Sequence, residues 1–315
     1  MIPEGPVLCL GDLMLEVFVE AALAPGSTLS VPLAPRGDGP DPVLGGASLN
    51  VAFHLRQLGV EAMPVGVVAS VLQDAWRETL AQSELSDRGL LPSEQLRQHD
   101  TLLVASDPGG DEAFRAAYVF DPGPGLEATT AHLRRLLDVG PRLLVLAGSR
   151  RPTLQRAALA VAGQFDAVVF SPSYTLYQHP PEVVRASVAA SELVVVNAAE
   201  ARWLSEVLGS ARPRRLLVTR DEHGLELYED GETTIRVPAA SEVRGDRVGA
   251  GDAVTAGVVA ARLAGASWAE AAIEGAVQGA WVADAGVIRP PPDPRAWARY
   301  RARLEPPSAR RGGPR

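Results

Sequence analysis

Late in the 315-residue sequence, Gly249-Ala250-Gly251-Asp252 stands directly before an apolar run, Ala253 to Leu263. Small residues leave the backbone N–H groups of such a loop uncovered, and a helix beginning there turns the positive end of its dipole towards them. That combination seats an anion. A carboxylate repels phosphate, so Asp252 makes a poor anion ligand. It fits a base that takes a proton from a hydroxyl while the amides of Gly249, Ala250 and Gly251 hold the charge of a phosphoryl group in transit. The competing reading is an N-capping acid on a Gly-rich turn.

Bulk properties narrow the chemistry. The length and an apolar fraction of 46% suit one large domain with a full core. A net charge of −8 argues against nucleic-acid or anionic-membrane surfaces as partners. Every basic residue is Arg, which removes the Gly-Lys-Ser/Thr phosphate loop and Schiff-base chemistry. The single cysteine, Cys9, sits in an apolar run and reads as a core thiol. His54, His99, His132, His179 and His223 share no metal-ligand spacing. With no long apolar stretch and no leader pattern, the expected location is cytoplasmic.

The remaining elements must build a cleft in front of Asp252. Val7 to Leu10 reads as a buried strand ending at Gly11-Asp12. Leu13 to Ala21 and Ser27 to Leu33 are rich in β-formers, and a Pro/Gly-rich link, Ala34 to Pro42, follows. Gly45-Gly46 opens a helix with Ala47, Val51, Leu55 and Leu58 on one face, stopped by Gly59. Val65 to Val68 is a strand and Asp74 to Leu80 a helical piece. Thr101 to Ala105 and Ala113 to Phe120 form a hairpin around Asp107-Pro108-Gly109-Gly110.

From Thr129 the rhythm is regular. Helices 129–138, 152–163, 181–190 and 198–208 precede the strands Leu143 to Ala147, Ala167 to Phe170, Leu193 to Val196 and Leu216 to Thr219. A hairpin from Leu225 to Val237 and helices 250–264 and 267–284 complete the body. This alternation specifies an α/β fold: a doubly wound, mostly parallel sheet with helices on both faces. The helix-poor segments 12–43 and 100–121 are expected to pair into a small β-sheet lid, which also offers a homodimer contact. The main domain is set at 1–288. Residues 289–315 form an Arg/Pro-rich tail with a docking helix from Trp297 to Leu304, a loose end and no assigned function.

With the lid-like pieces so placed, the sequence resembles the ribokinase-like (PfkB) carbohydrate kinases from Val7 to about Gly286. Gly249-Ala250-Gly251-Asp252 after Asp246 matches the family's C-terminal signature, and Gly45-Gly46 with Asn50 and Leu58-Gly59 the N-terminal one. The resemblance implies Asp252 as catalytic base and the loop amides as anion hole for the γ-phosphate of ATP. It implies an acceptor pocket at Gly45, Gly46 and Asn50, with sugar hydroxyls gripped by Asp12 or Glu16. It assigns Asn197 and Glu200 to an Asn-x-x-Glu motif that orients the water shell of Mg2+. Thr219, Asp221 and Gly224 would line the nucleotide, as in the family's Thr-x-Gly-x-x-Gly.

Departures accompany the match. Asp221 replaces the first of those glycines, Arg247 stands where relatives carry Thr and leaves a monovalent-cation site open, and Ser70 replaces an acid. Ser171-Pro172-Ser173 replaces Asp-x-Asn, and Gly275 stands where relatives carry Asn or His near the adenine. The expected activity is therefore ATP-dependent phosphorylation of a small sugar or nucleoside. The alternative is a degenerate relative that binds sugar or nucleotide without turnover. A dinucleotide oxidoreductase is set aside, because Gly11-Asp12-Leu13-Met14 lacks Gly-x-Gly-x-x-Gly.

Overall fold

Four-residue apolar runs bounded by glycine or proline are too short for helices, and here they pair into sheets. The computed structural model describes residues 5–20, 43–94, 101–106, 114–119, 124–241 and 248–304. The expected strand at 27–33, the link at 34–42, the turn at 107–110, Asp246, Arg247 and the end at 305–315 lie outside the described residues.

The chain begins with β1 (Val7–Leu10), β2 (Met14–Glu20), β3 (Val43–Gly45), α1 (Ala47–Gln57) and β4 (Ala62–Ala69). Then come α2 (Gln73–Gln82), β5 (Leu90–Ser93), β6 (Thr101–Ser106), β7 (Phe114–Val119) and α3 (Leu126–Leu136). The alternating stretch is β8 (Leu143–Ala147), α4 (Pro152–Val161), β9 (Ala167–Ser171), α5 (Pro181–Ala190), β10 (Leu193–Asn197), α6 (Ala198–Leu208) and β11 (Arg215–Thr219). The hairpin β12 (Leu225–Glu229) and β13 (Glu232–Val237) precedes α7 (Ala250–Leu263), α8 (Trp268–Ala285) and α9 (Pro294–Leu304).

Among the described residues the main sheet has nine strands in the order β13-β12-β11-β10-β9-β8-β1-β4-β5. It is parallel from β5 to β11, and the β12–β13 hairpin closes one edge antiparallel. Strand order reverses direction around β1, between β4 and β8, which opens a crevice at the carboxyl ends of those strands. Alternation along β1 explains the two layers of core: Val7 and Cys9 pack on one face, Leu8 and Leu10 on the other. The first layer takes apolar residues of α1, α7, α8 and α9, the second those of α3 to α6.

The second sheet has the order β3-β2-β6-β7. Its β2–β6 pair is parallel, Leu15 opposite Thr101, while β2–β3 and β6–β7 are antiparallel. Segments far apart in the chain thus join into a second, smaller sheet, as expected. The C-terminal docking helix is present and longer than expected, with Ala296, Tyr300 and Leu304 buried.

Two helix contacts bear directly on the site. Helices α7 and α8 approach closely because a Cβ on Gly257 would lie 2.7 Å from Glu274 O, and one on Gly275 2.7 Å from Val258 Cγ2. Gly275, which the resemblance puts near the adenine, is therefore spent on helix packing against α7. Beneath the first turn of α7, Ser171 Oγ at the end of β9 lies 2.9 Å from Thr255 Oγ1, and Thr255 donates back to Gly251 O at 3.0 Å.

Candidate active site

Helix α7 starts from Gly249, whose φ of 84° lies in the left-handed region, and among the described residues no side chain caps its N-terminus. Helix geometry leaves the N–H groups of Ala250, Gly251 and Asp252 without intrahelical acceptors, while Ala253 N–H already donates to Gly249 O at 3.0 Å. Asp252 occupies the third position of this turn. Its carboxylate does not cap the helix: Oδ2 accepts from Asn50 Nδ2 at 3.0 Å, across 202 residues of chain. The capping reading of Asp252 is thereby overturned.

Asp252 has an unusual proton affinity. Loss of solvent pushes its pKa from 3.8 up to about 7; the Asn50 amide opposes the shift, and the charges of Glu16 and Glu200 add to it. The anion seat, the acceptor pocket and the metal-side acid are thus within electrostatic reach of one carboxyl group.

Gly249 also marks where the site is tightly built. A Cβ there would sit 2.7 Å from Ile288 Cγ2. Gly249→Ala should cost about 1–2 kcal/mol, from strain at positive φ together with this clash, and should lower kcat by displacing the first turn. Chemical denaturation and initial rates check both.

On the acceptor side, α1 enters from Gly46, whose φ is 104°. A Cβ on Gly46 would lie 2.2 Å from Asp12 O, and one on Gly45 2.1 Å from Glu16 Oε2. The glycine pair is required because the chain after β1 runs against it. Glu16, 2% exposed, accepts from Gly46 N–H at 2.7 Å through Oε1, while Oε2 has no partner among the described residues. Burial raises its pKa, against the opposing charge of Arg289 and the Gly46 N–H.

Asp12 is placed differently from expectation. It is 0% exposed, and both oxygens are filled. Oδ1 accepts from Ser149 Oγ at 3.0 Å and Arg151 Nη1 at 3.2 Å; Oδ2 accepts from Arg150 N–H at 2.9 Å and Arg150 Nε at 3.0 Å. No face remains for a sugar hydroxyl. The residue belongs to a buried ion cluster tying the end of β1 to the segment after β8.

Asn197 and Glu200 form a capping box. Asn197 Oδ1 accepts from the N–H groups of Ala199 and Glu200, each at 2.9 Å, and Glu200 Oε2 accepts from Asn197 N–H at 2.9 Å. Glu200 is buried, and desolvation raises its pKa against that hydrogen bond. Thr219 ends β11 next to Asn197 on β10. Asp221 holds φ 51°, a left-handed conformation that acids tolerate better than most residues, so the turn normally made by glycine is kept. Gly224 has no room for a side chain, with Val237 O 2.1 Å from a built Cβ.

Sequence reasoning missed three groups. Arg289, assigned to a tail without function, reaches the acceptor pocket: Nη2 donates to Leu44 O at 2.6 Å and Nη1 to Asn50 Oδ1 at 3.5 Å. His54 Nε2 lies 3.1 Å from Ile288 O, and Gln57 Nε2 donates to Pro290 O at 2.8 Å. The spacing Asn50-His54-Gln57 is one helical stripe and was legible; the strap it grips was not. Arg150-Arg151, just after β8, drew no assignment from the sequence and is buried.

Known proteins share this fold. A model of the pfkB family carbohydrate kinases matches residues 8–293. The bifunctional protein HldE of Pseudomonas aeruginosa is 27% identical over 280 residues, which cover 83% of this chain and 56% of that protein, so the chain spans a little over half its length. Burkholderia thailandensis nucleoside kinase in complex with inosine superposes with a TM-score of 0.78 at 21% identity, covering 94% of this chain and 98% of that one. Vibrio cholerae fructokinase, bound to fructose, ADP and calcium, gives 0.69 at 16% identity, covering 96% and 99%. Membership implies ATP as phosphoryl donor, and a match over nearly the whole described body decides the matter: the chain belongs to the pfkB family of carbohydrate kinases.

Proposed function

We propose that the protein moves the γ-phosphoryl group of ATP to a hydroxyl of a small sugar or nucleoside, with Asp252 as base. The observation that carries this is a carboxyl group with its pKa pushed up to about 7, at an uncapped helix N-terminus, held by Asn50 from α1. A base near neutrality is better matched to an alcohol than an ordinary carboxylate, yet a large fraction of it is ionised near pH 7. The acceptor hydroxyl loses its proton to Asp252 as it attacks in line, and the open amides of α7 stabilise the charge on the transferred group. Inosine and fructose in the related structures support a polyhydroxylated acceptor.

The donor set fits a metal held mainly by phosphates and water. Among the described residues no three His, Cys, Asp or Glu side chains cluster as metal ligands. Glu200, with one oxygen engaged in capping, would steer a metal-bound water, and Mg2+ would supply charge neutralisation. The small sheet β3-β2-β6-β7 would close over the acceptor and exclude water. Its outer strands also offer a surface for a second copy. Among the described residues no helix is long and apolar enough to cross a membrane.

The test is ATP consumption with a panel of hexoses, pentoses, nucleosides, sugar acids and sugar phosphates. Because the base must be ionised, kcat should fall about tenfold per pH unit below pH about 7 and level off above it. A flat profile between pH 5 and 8 would remove Asp252 as the base. Asp221, an acid on the nucleotide-side turn, motivates the second reading of binding without turnover. Saturable ATP binding with no acceptor phosphorylated would establish it.

A further inference from the structure

We propose that Arg289 is an acceptor-binding residue, which with Glu16 clamps two neighbouring hydroxyl groups and so selects an uncharged vicinal diol at this position. The inference rests on the phosphotransferase reading above and goes beyond it in naming what the acceptor presents.

The placement of Arg289 is built from both sides. His54 is buried, and desolvation brings its pKa down to about 4, so at neutral pH it is uncharged and Nε2–H donates to Ile288 O. Gln57 holds Pro290 O one turn further along α1. The residue between these anchors has little choice of direction, and its guanidinium lands between Leu44 O of β3 and Asn50 Oδ1 of α1. That is the neighbourhood of the base, because the other end of the Asn50 amide donates to Asp252.

Two of the five guanidinium N–H donors are used there, and the others have no partner among the described residues. Glu16 and Arg289 act on each other through space, while among the described residues no hydrogen bond joins them. Glu16 Oε2 is buried and lacks a donor. A polar atom left so is costly unless a ligand completes it.

The chemistry of the missing ligand follows from that pair. Glu16 needs a donor and Arg289 an acceptor. An anionic group would satisfy Arg289 and be repelled by Glu16; an amine would do the reverse. A hydroxyl both donates and accepts, and two on adjacent carbons span a carboxylate and a guanidinium without net charge. A phosphate elsewhere on the acceptor is compatible with this, since the clamp concerns only the diol.

The test compares D-ribose, D-fructose and inosine with counterparts lacking one hydroxyl, such as 2-deoxy-D-ribose and 2′-deoxyinosine. Arg289→Met should raise KM for the best hydroxylated acceptor about 30-fold, the range expected for losing a hydrogen bond to a charged donor. On the matching deoxy acceptor the penalty should shrink to about threefold. Arg289→Lys, which keeps the charge but not the fork, should lie between. An equal penalty on both acceptors would make Arg289 a merely structural contact and overturn the clamp. If Arg289→Met does not fold, Arg289→Lys and the wild-type preference for diol over deoxy acceptor, expected above tenfold, test the clamp in its place. Absence of turnover with every acceptor of the wider panel would sink the phosphotransferase reading, and this inference with it.

Discussion

Asp252→Asn is expected to lower kcat about 10³-fold or more, the upper part of the range for removing a general base, while ATP binds within about threefold of wild type. Isothermal calorimetry with ATP and initial rates with the best acceptor separate the two effects; a kcat within tenfold of wild type would refute the assignment. A second result should accompany the first. The folded pKa of Asp252 is raised from 3.8 to about 7, so ionising it in the fold opposes stability. Its favourable contribution is present below pH 4 and lost as pH rises through 7. The neutral Asn variant should therefore melt several degrees above wild type at pH 8 and level with it near pH 4. An inactive enzyme that is more stable only at high pH would distinguish a charged base from a damaged fold.

Asp12→Ala is expected to destabilise by about 3–5 kcal/mol, the cost of breaking a buried ion pair by removing one side of it. Arg150 and Arg151 both point at this one carboxylate, with side chains 0% and 1% exposed. Urea denaturation measures the loss. Asp12→Asn, which keeps the shape and weakens both ion pairs, should fall between. Were Asp12 a sugar ligand, either variant would change KM with stability intact, and that outcome would move it back into the acceptor pocket.

The parallel core was legible because each element announces its own ends. Pro181 opens α5 and Asn197 caps α6, so these helices fall at 181–190 and 198–208 as expected. The hairpin of β12 and β13 turns at Asp230-Gly231 for the same local reason. The start of α7 at Gly249, with Asp252 in its first turn, was legible in part from the loop's chemistry and in part by resemblance.

What local pattern does not carry is who meets whom. An acid after a strand is equally suited to solvent, sugar or an ion pair, and only the arrival of Arg150 and Arg151 from β8 decides for Asp12. Arg289 lies in a Pro- and Arg-rich stretch whose composition reads as solvated. Its position depends on main-chain carbonyls of Ile288 and Pro290 meeting α1, contacts with no periodicity to betray them. Gly275 carries the same lesson, its missing side chain explained by a helix approach and not by a ligand.

The strap gripped by α1 has a bearing on biosynthesis. His54 and Ile288 are separated by 234 positions, so a ribosome lays down β4 to β13 together with α7 and α8 before the two can meet. A nascent polypeptide that has not emerged through Pro290 can form its sheet while α1 still lacks the strap, so the contacts of His54 and Gln57 with Ile288 and Pro290 are late additions to a body already paired.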